Sequence, residues 1–172
     1  MRLSDLVHEV DLEVEINHGQ VYIYSDPPWR TDPNEANAMP RALDDAQNSG
    51  RYVGLSSGLV DLVVPTKWNF NAPMRVETWT AEPEADDDSW DNVVDVDLDV
   101  TDDTLNFQGS GGRPPIPCEV PSGAYRARIA GRGYDQLRAD VEGMDTYRLQ
   151  FWPRASNSPP TLRKSWAGWS SD

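Results

Sequence analysis

Twelve carboxylates lie between Arg75 and Arg113 with no Lys or Arg among them: Glu77, Glu82, Glu84, Asp86, Asp87, Asp88, Asp91, Asp95, Asp97, Asp99, Asp102 and Asp103. Acids at this density can hold a hard cation, exchange protons as a pair, or meet a cationic partner. Asp86, Asp87, Asp88 and Asp91 could offer several oxygens to Ca²⁺, which takes about six to eight. An EF-hand loop counted from Asp86 would need Gly at its sixth position and Glu at its twelfth, where this chain has Asp91 and Asp97. Asp95, Asp97 and Asp99 would stand roughly 6.5–7 Å apart on one side of a strand, too far to share one ion comfortably. The spacing does not single out a glycosidase-like carboxylate pair, and acids on a strand face are usually solvated. No metal or cofactor is therefore expected. A Ca²⁺- or small-ligand-binding module is the alternative that such an acidic stretch keeps open.

Nucleophilic chemistry has little to work with. The two histidines, His8 and His18, both lie near the start, and His18 falls in a turn. Cys118 follows Pro117 in an apolar run and reads as a small buried hydrophobe. There is no Gly-x-Ser-x-Gly, phosphate-binding loop or dinucleotide fingerprint, and Gly109-Ser110-Gly111-Gly112 has no helix after it. The chain does not read as an enzyme.

The acids alternate with apolar residues over 93–100. Val94, Val96, Leu98 and Val100 face one way, and Asp95, Asp97 and Asp99 face the other, toward solvent. Residues 82–91 read as a mobile acidic loop ending at Trp90, and 109–115 as a flexible link between strands. Leu-Glu-Val-Glu-Ile over 12–16, a turn at Asn17-His18-Gly19 and an extended 21–24 predict a hairpin. Residues 33–48 are the helical stretch, with Asp32 as cap and Pro33 in the first turn. Pro40 should split it, leaving 41–48 as the helix, stopped at Ser49-Gly50. Short extended runs follow at 52–56, 59–64, 74–80, 93–100, 104–107, 116–120, 124–129 and 146–152. This is an all-β pattern: a single-domain β-sandwich of about eight to ten mostly antiparallel strands with one short helix. Residues 1–153 form the sandwich. Residues 154–172 form a tail carrying Trp166 and Trp169, either folded over an apolar edge or exposed as a contact site.

Composition narrows the partners. The formal charge is −14 over 172 residues, a field that repels nucleic acid and anionic membranes and attracts basic proteins. High Asp and Arg with only Lys67 and Lys164 is also what a high-GC genome or a salt-adapted cell produces. That accounts for the total charge more easily than for 12 of 29 acids falling within 37 residues. No apolar run is long enough for a membrane span, no signal peptide is evident, and the lone cysteine suits a reducing compartment. A cytoplasmic location is expected. Seven Trp, among them Trp29, Trp68, Trp79 and Trp152, supply core and contact material, and Trp152 is expected in the core or at the sandwich end.

Several segments carry a resemblance. Gly19-Gln20-Val21-Tyr22, then Trp90-Asp91-Asn92-Val93-Val94-Asp95, then Pro121-Ser122-Gly123-Ala124-Tyr125-Arg126-Ala127-Arg128, then Leu149-Gln150-Phe151-Trp152-Pro153 stand in order. This series resembles an uncharacterised family of small, acidic, mostly actinobacterial proteins over most of 17–153. A looser likeness runs to competence protein J, an intracellular inhibitor of a nuclease of DNA uptake. It rests on the order of early strand, short Ala-containing helix ending in Gly, and strands leading to a Pro-x-Gly-x-Tyr turn. The tail after Pro153 departs from the family. The likeness implies an immunity or inhibitor protein that neutralises a basic enzyme such as a nuclease or toxin. Asp86, Asp87, Asp88, Asp91, Asp95, Asp97 and Asp99 would steer that partner, with Trp90 as the anchor.

Overall fold

The computed structural model describes residues 4–28, 37–66, 69–136 and 144–170. Asp32, Pro33, Trp29 and Trp68 lie outside them. Among the described residues are eleven strands: β1 (Leu6–Ile16), β2 (Gln20–Tyr24), β3 (Val53–Ser56), β4 (Leu59–Val63), β5 (Phe70–Trp79), β6 (Asn92–Val100), β7 (Thr104–Gly109), β8 (Ile116–Glu119), β9 (Gly123–Arg132), β10 (Thr146–Pro153) and β11 (Thr161–Lys164). They make two sheets, ordered β1-β5-β10-β9-β6-β11 and β3-β4-β2-β7-β8. Neighbours are antiparallel except β5 and β10, which run parallel. The all-β sandwich expected from the alternation is what forms.

Period-two alternation sets which face each side chain takes. Val94, Val96, Leu98 and Val100 of β6 join Tyr125, Ala127 and Ile129 of β9 and Leu149 and Phe151 of β10 on the inner face. Opposite them lie Val21, Ile23, Val60, Leu62, Leu105 and Phe107 of the other sheet, all in one buried cluster. Cys118 is buried in the same cluster, and burial lifts its thiol to about 11, with nearby Glu119 adding to the shift.

The turn after β1 is as tight as expected, with His18 at φ 54° and Gly19 at φ 69°. It does not close a hairpin. Beyond the Asn17–Gln20 bridge the strands part, β1 pairing with β5 and β2 with β4 and β7. Val14 and Ile16 on one side of the turn and Val21 and Ile23 on the other all face the same core, so the chain must change sheets there.

The helix α1 (Ala38–Asn48) contains Pro40 rather than breaking at it. Pro40 is its third residue, where the missing N–H has no intrahelical acceptor to lose. Ala38, Ala42 and Ala46, spaced by four, are buried, and Ala42 packs against Tyr22, Tyr24 and Leu59 on the outer face of the five-stranded sheet. Gly54 of β3 permits the approach. A Cβ there would lie 1.7 Å from the Ala42 carbonyl oxygen. Gly50, at φ 73°, ends the helix by donating its N–H to the Gln47 carbonyl at 3.1 Å.

Candidate functional site

The Asp row of β6 does lie on the outer face of the six-stranded sheet, but it is not a solvated row. Asp95 is buried and Asp97 is half-buried, leaving Asp99 as the exposed member. Strand register explains this. Asp95 stands opposite Arg128, Asp97 opposite Arg126 and Asp99 opposite Ala124 of β9. Asp95 takes two hydrogen bonds from Arg128, at 2.9 and 3.1 Å. Asp97 accepts from Arg126 Nη1 at 2.9 Å and from the Ser158 N–H at 2.8 Å. Arg154 reaches Asp99 at 2.7 Å. Acids and arginines at the same period on neighbouring strands neutralise one another.

Residues 80–91 cross this face from β5 to β6. Residues 82–91, expected as a mobile loop, are strapped down by ion pairs. Glu82 accepts from Arg128 at 2.8 Å, Asp86 from both Nη atoms of Arg148 at 2.7 and 2.6 Å, and Asp87 pairs with Arg163 at 3.1 Å. The Arg148 bonds hold the Asp86 carboxyl below its ordinary range, outweighing burial. Trp90 is 6% exposed, so it is no open anchor. The Arg132 and Arg148 guanidiniums stand 4.5 and 4.6 Å from its ring centre, and it packs with Val93 and Ala130. Trp152 is buried on this outer face, with Arg128 5.0 Å from its ring, rather than in the core.

The polar layer continues across the sheet. Register aligns Asp95, Arg128, Gln150, Glu77 and Glu9 on five successive strands. Burial works against ionisation of Glu77, but hydrogen bonds from Arg75 (2.8 Å), Gln150 (3.0 Å) and Trp79 (3.0 Å) prevail and keep its carboxyl low.

Of the eight residues singled out in the sequence, Asp86, Asp87, Trp90, Asp95, Asp97 and Asp99 therefore gather on one face. Asp91 turns away to accept the Tyr134 N–H at 3.0 Å, and Asp88 is exposed. The missed residues are the arginines: Arg126, Arg128, Arg148, Arg154 and Arg163. Arg126-x-Arg128 carried a period-two signal, but only the register shows that it faces the Asp row.

The tail lies along the same sheet. β11 pairs with β6, Arg126 donates to the Ser158 and Pro159 carbonyls at 3.1 and 3.0 Å, and Trp169 stacks on Tyr52 at 3.8 Å. Trp166 and Trp169 meet edge to face, half-buried against the core.

Two carboxyls sit apart from this layer. Asp145 is buried and accepts from Thr66 at 2.9 Å and from the Tyr147 hydroxyl, while burial raises its pKa. Asp61 of β4 is fully buried, flanked by Tyr22 and Gly54 on neighbouring strands, and neither of its oxygens has a hydrogen-bond partner among the described residues. Burial pushes its carboxyl up to about 7. Among the described residues no group of three or more His, Cys, Asp or Glu is placed to hold a metal ion. No described helix is long and apolar enough to cross a membrane.

No known protein family matches the sequence, and neither does any curated protein. Solved structures do resemble the fold. The chain is similar to ComJ from Bacillus subtilis, described as an inhibitor of the DNA-degrading activity of NucA, with a TM-score of 0.54 and 14% identity over 89% of this chain and 100% of that one. It also resembles the crocagin biosynthetic gene J protein, with a TM-score of 0.49 and 12% identity over 89% of this chain and 99% of that one. At such identities the likeness is one of fold.

Proposed function

We propose that this chain is a non-enzymatic binding protein that inhibits an enzyme with a cationic surface, a nuclease or nuclease-type toxin. The observation that most supports this reading is the end-to-end correspondence of its fold with that of a nuclease inhibitor. The charge of −14 agrees with it, because enzymes that act on nucleic acids present basic clefts to phosphates. The eight residues picked from the sequence divide the work. Asp95 and Trp90, buried in the arginine layer, hold the face rigid together with Asp97, while Asp91 fixes the end of the strap through the Tyr134 N–H. Asp88, Asp99 and the half-buried Asp86 and Asp87 form its charged rim and contact the partner.

Retention of a cell extract on the immobilised chain tests this. Elution with rising salt should release DNA- or RNA-degrading activity, because association between exposed charges is screened. Nuclease activity that passes straight through at low salt would refute the proposal.

A further inference from the structure

Sheet edges are where one chain can add a strand to another, and three of the four here are closed. β11 and β8 are four residues long, the first irregular in register after Leu162 and the second carrying Pro117. β3 is also four residues long, lies under α1, and donates its Leu55 N–H to the Asp45 carboxylate at 2.9 Å. β1 differs. It is eleven residues long and pairs on one side only, with β5. Its C-terminal end abuts β7, where a Cβ on Gly109 would meet the Glu15 carbonyl at 2.4 Å. Among the described residues, nothing bonds the outer rim of residues 6–13, a stretch about 24 Å long at the usual strand rise.

The side chains on this rim select what can pair with it. Val10 and Leu12 turn toward the core, while Glu9, Asp11 and Glu13 are exposed on the other face. At the start of the strand Leu6 and Val7 are 39% and 59% exposed. A second copy of this chain is a poor fit, since antiparallel self-pairing would set carboxylates against carboxylates. The strand's other neighbour shows what suits it. Arg75 of β5 stands opposite Asp11, bonds Glu9, and reaches Asp11 at 3.5 Å. A cationic residue on a strand added to the free side would meet the same carboxylates from the opposite direction.

From this geometry we infer that residues 6–13 are a docking edge for an extended segment of a cationic protein, with Lys or Arg at alternate positions and its backbone adding a seventh strand to the six-stranded sheet. This rests on the inhibitor reading and names the contact by which the partner is held.

The probe is a synthetic acetylated peptide alternating Lys and Val, added to the full chain at low salt. It should bind and slow amide exchange within residues 6–13. The same peptide N-methylated at alternate amides keeps its charge but loses one hydrogen-bonding edge, and should bind at least about tenfold more weakly. The variant Glu9→Gln/Asp11→Asn/Glu13→Gln should also lose about tenfold in affinity for the unmethylated peptide. Equal binding of both peptides, or protection located away from β1, would overturn the inference. If the chain inhibits a nuclease and the triple variant inhibits it equally, the edge is wrong while the inhibitor reading stands. If the peptide adds to β1 and no nuclease is inhibited, the edge stands and the inhibitor reading fails.

Discussion

Asp61 and Arg128 show how differently one buried charge can be treated. Arg128 is 1% exposed and keeps its charge because Asp95 and Glu82 surround it. Replacing it with Met should destabilise the fold by about 3–5 kcal/mol, because the buried Asp95 loses both hydrogen bonds and keeps only the longer contact with Arg163 at 3.6 Å. The double variant Arg128→Met/Asp95→Val should recover most of that loss, and urea denaturation of the cycle checks it. Asp61 has no such partner among the described residues, and burial raises its pKa instead. Its pKa in the folded chain, about 7, lies above the ordinary value of 3.8. Its contribution to stability is therefore full below about pH 4 and is lost as pH rises to about 7, on the order of 4 kcal/mol in all. Asp61→Asn should remove this contribution. Asp86 and Glu77, both held low, work in the other direction: the stability they contribute is lost as pH falls through their depressed pKa values. Burial raises Asp145 as well, so part of a same-sign slope remains in Asp61→Asn. Denaturation midpoints of both proteins between pH 4 and 8 give the difference, and equal slopes in the two would contradict the assignment.

Among the elements, the strap over 80–91 and the helix α1 are fixed by different means. The strap is held by charge. Glu82→Gln/Asp86→Asn should speed amide exchange over 81–91 while changing global stability by only about 1 kcal/mol, because Glu82 is exposed and Asp86 only half-buried. Unchanged exchange would mean the ion pairs do not anchor it. The helix is held by close approach. Gly54→Ala places a Cβ against the Ala42 carbonyl, so α1 must lift, at a cost of roughly 2–3 kcal/mol or more. Near-native stability would show that α1 yields easily. These elements also mark how far the sequence could be read. Val94, Val96, Leu98 and Val100 gave the inner face of β6 directly, since alternation is local. Whether Asp95 meets water or Arg128 depends on pairing across 33 residues, which no local pattern carries. The parallel neighbours β5 and β10 and the short β11 were hidden for the same reason.

Taken whole, the molecule has spent much of its acidic stretch on itself. Five arginines absorb Asp86, Asp87, Asp95, Asp97 and Asp99, yet the net charge remains −14, and Glu9, Asp11, Glu13, Asp88, Asp102 and Asp103 stay exposed. The excess charge is thus presented on a stiff frame, with the long edge β1 open beside it. Such a frame suits recognition of a basic surface, because a preorganised partner has little ordering left to do on binding. The most direct measurement is titration of the purified chain into the nuclease fraction retained on it, with plasmid DNA degradation as the readout at low and high salt. The account expects activity to fall to background at a one-to-one ratio in low salt and to return as salt rises. Undiminished DNA degradation at a molar excess of the chain would contradict it.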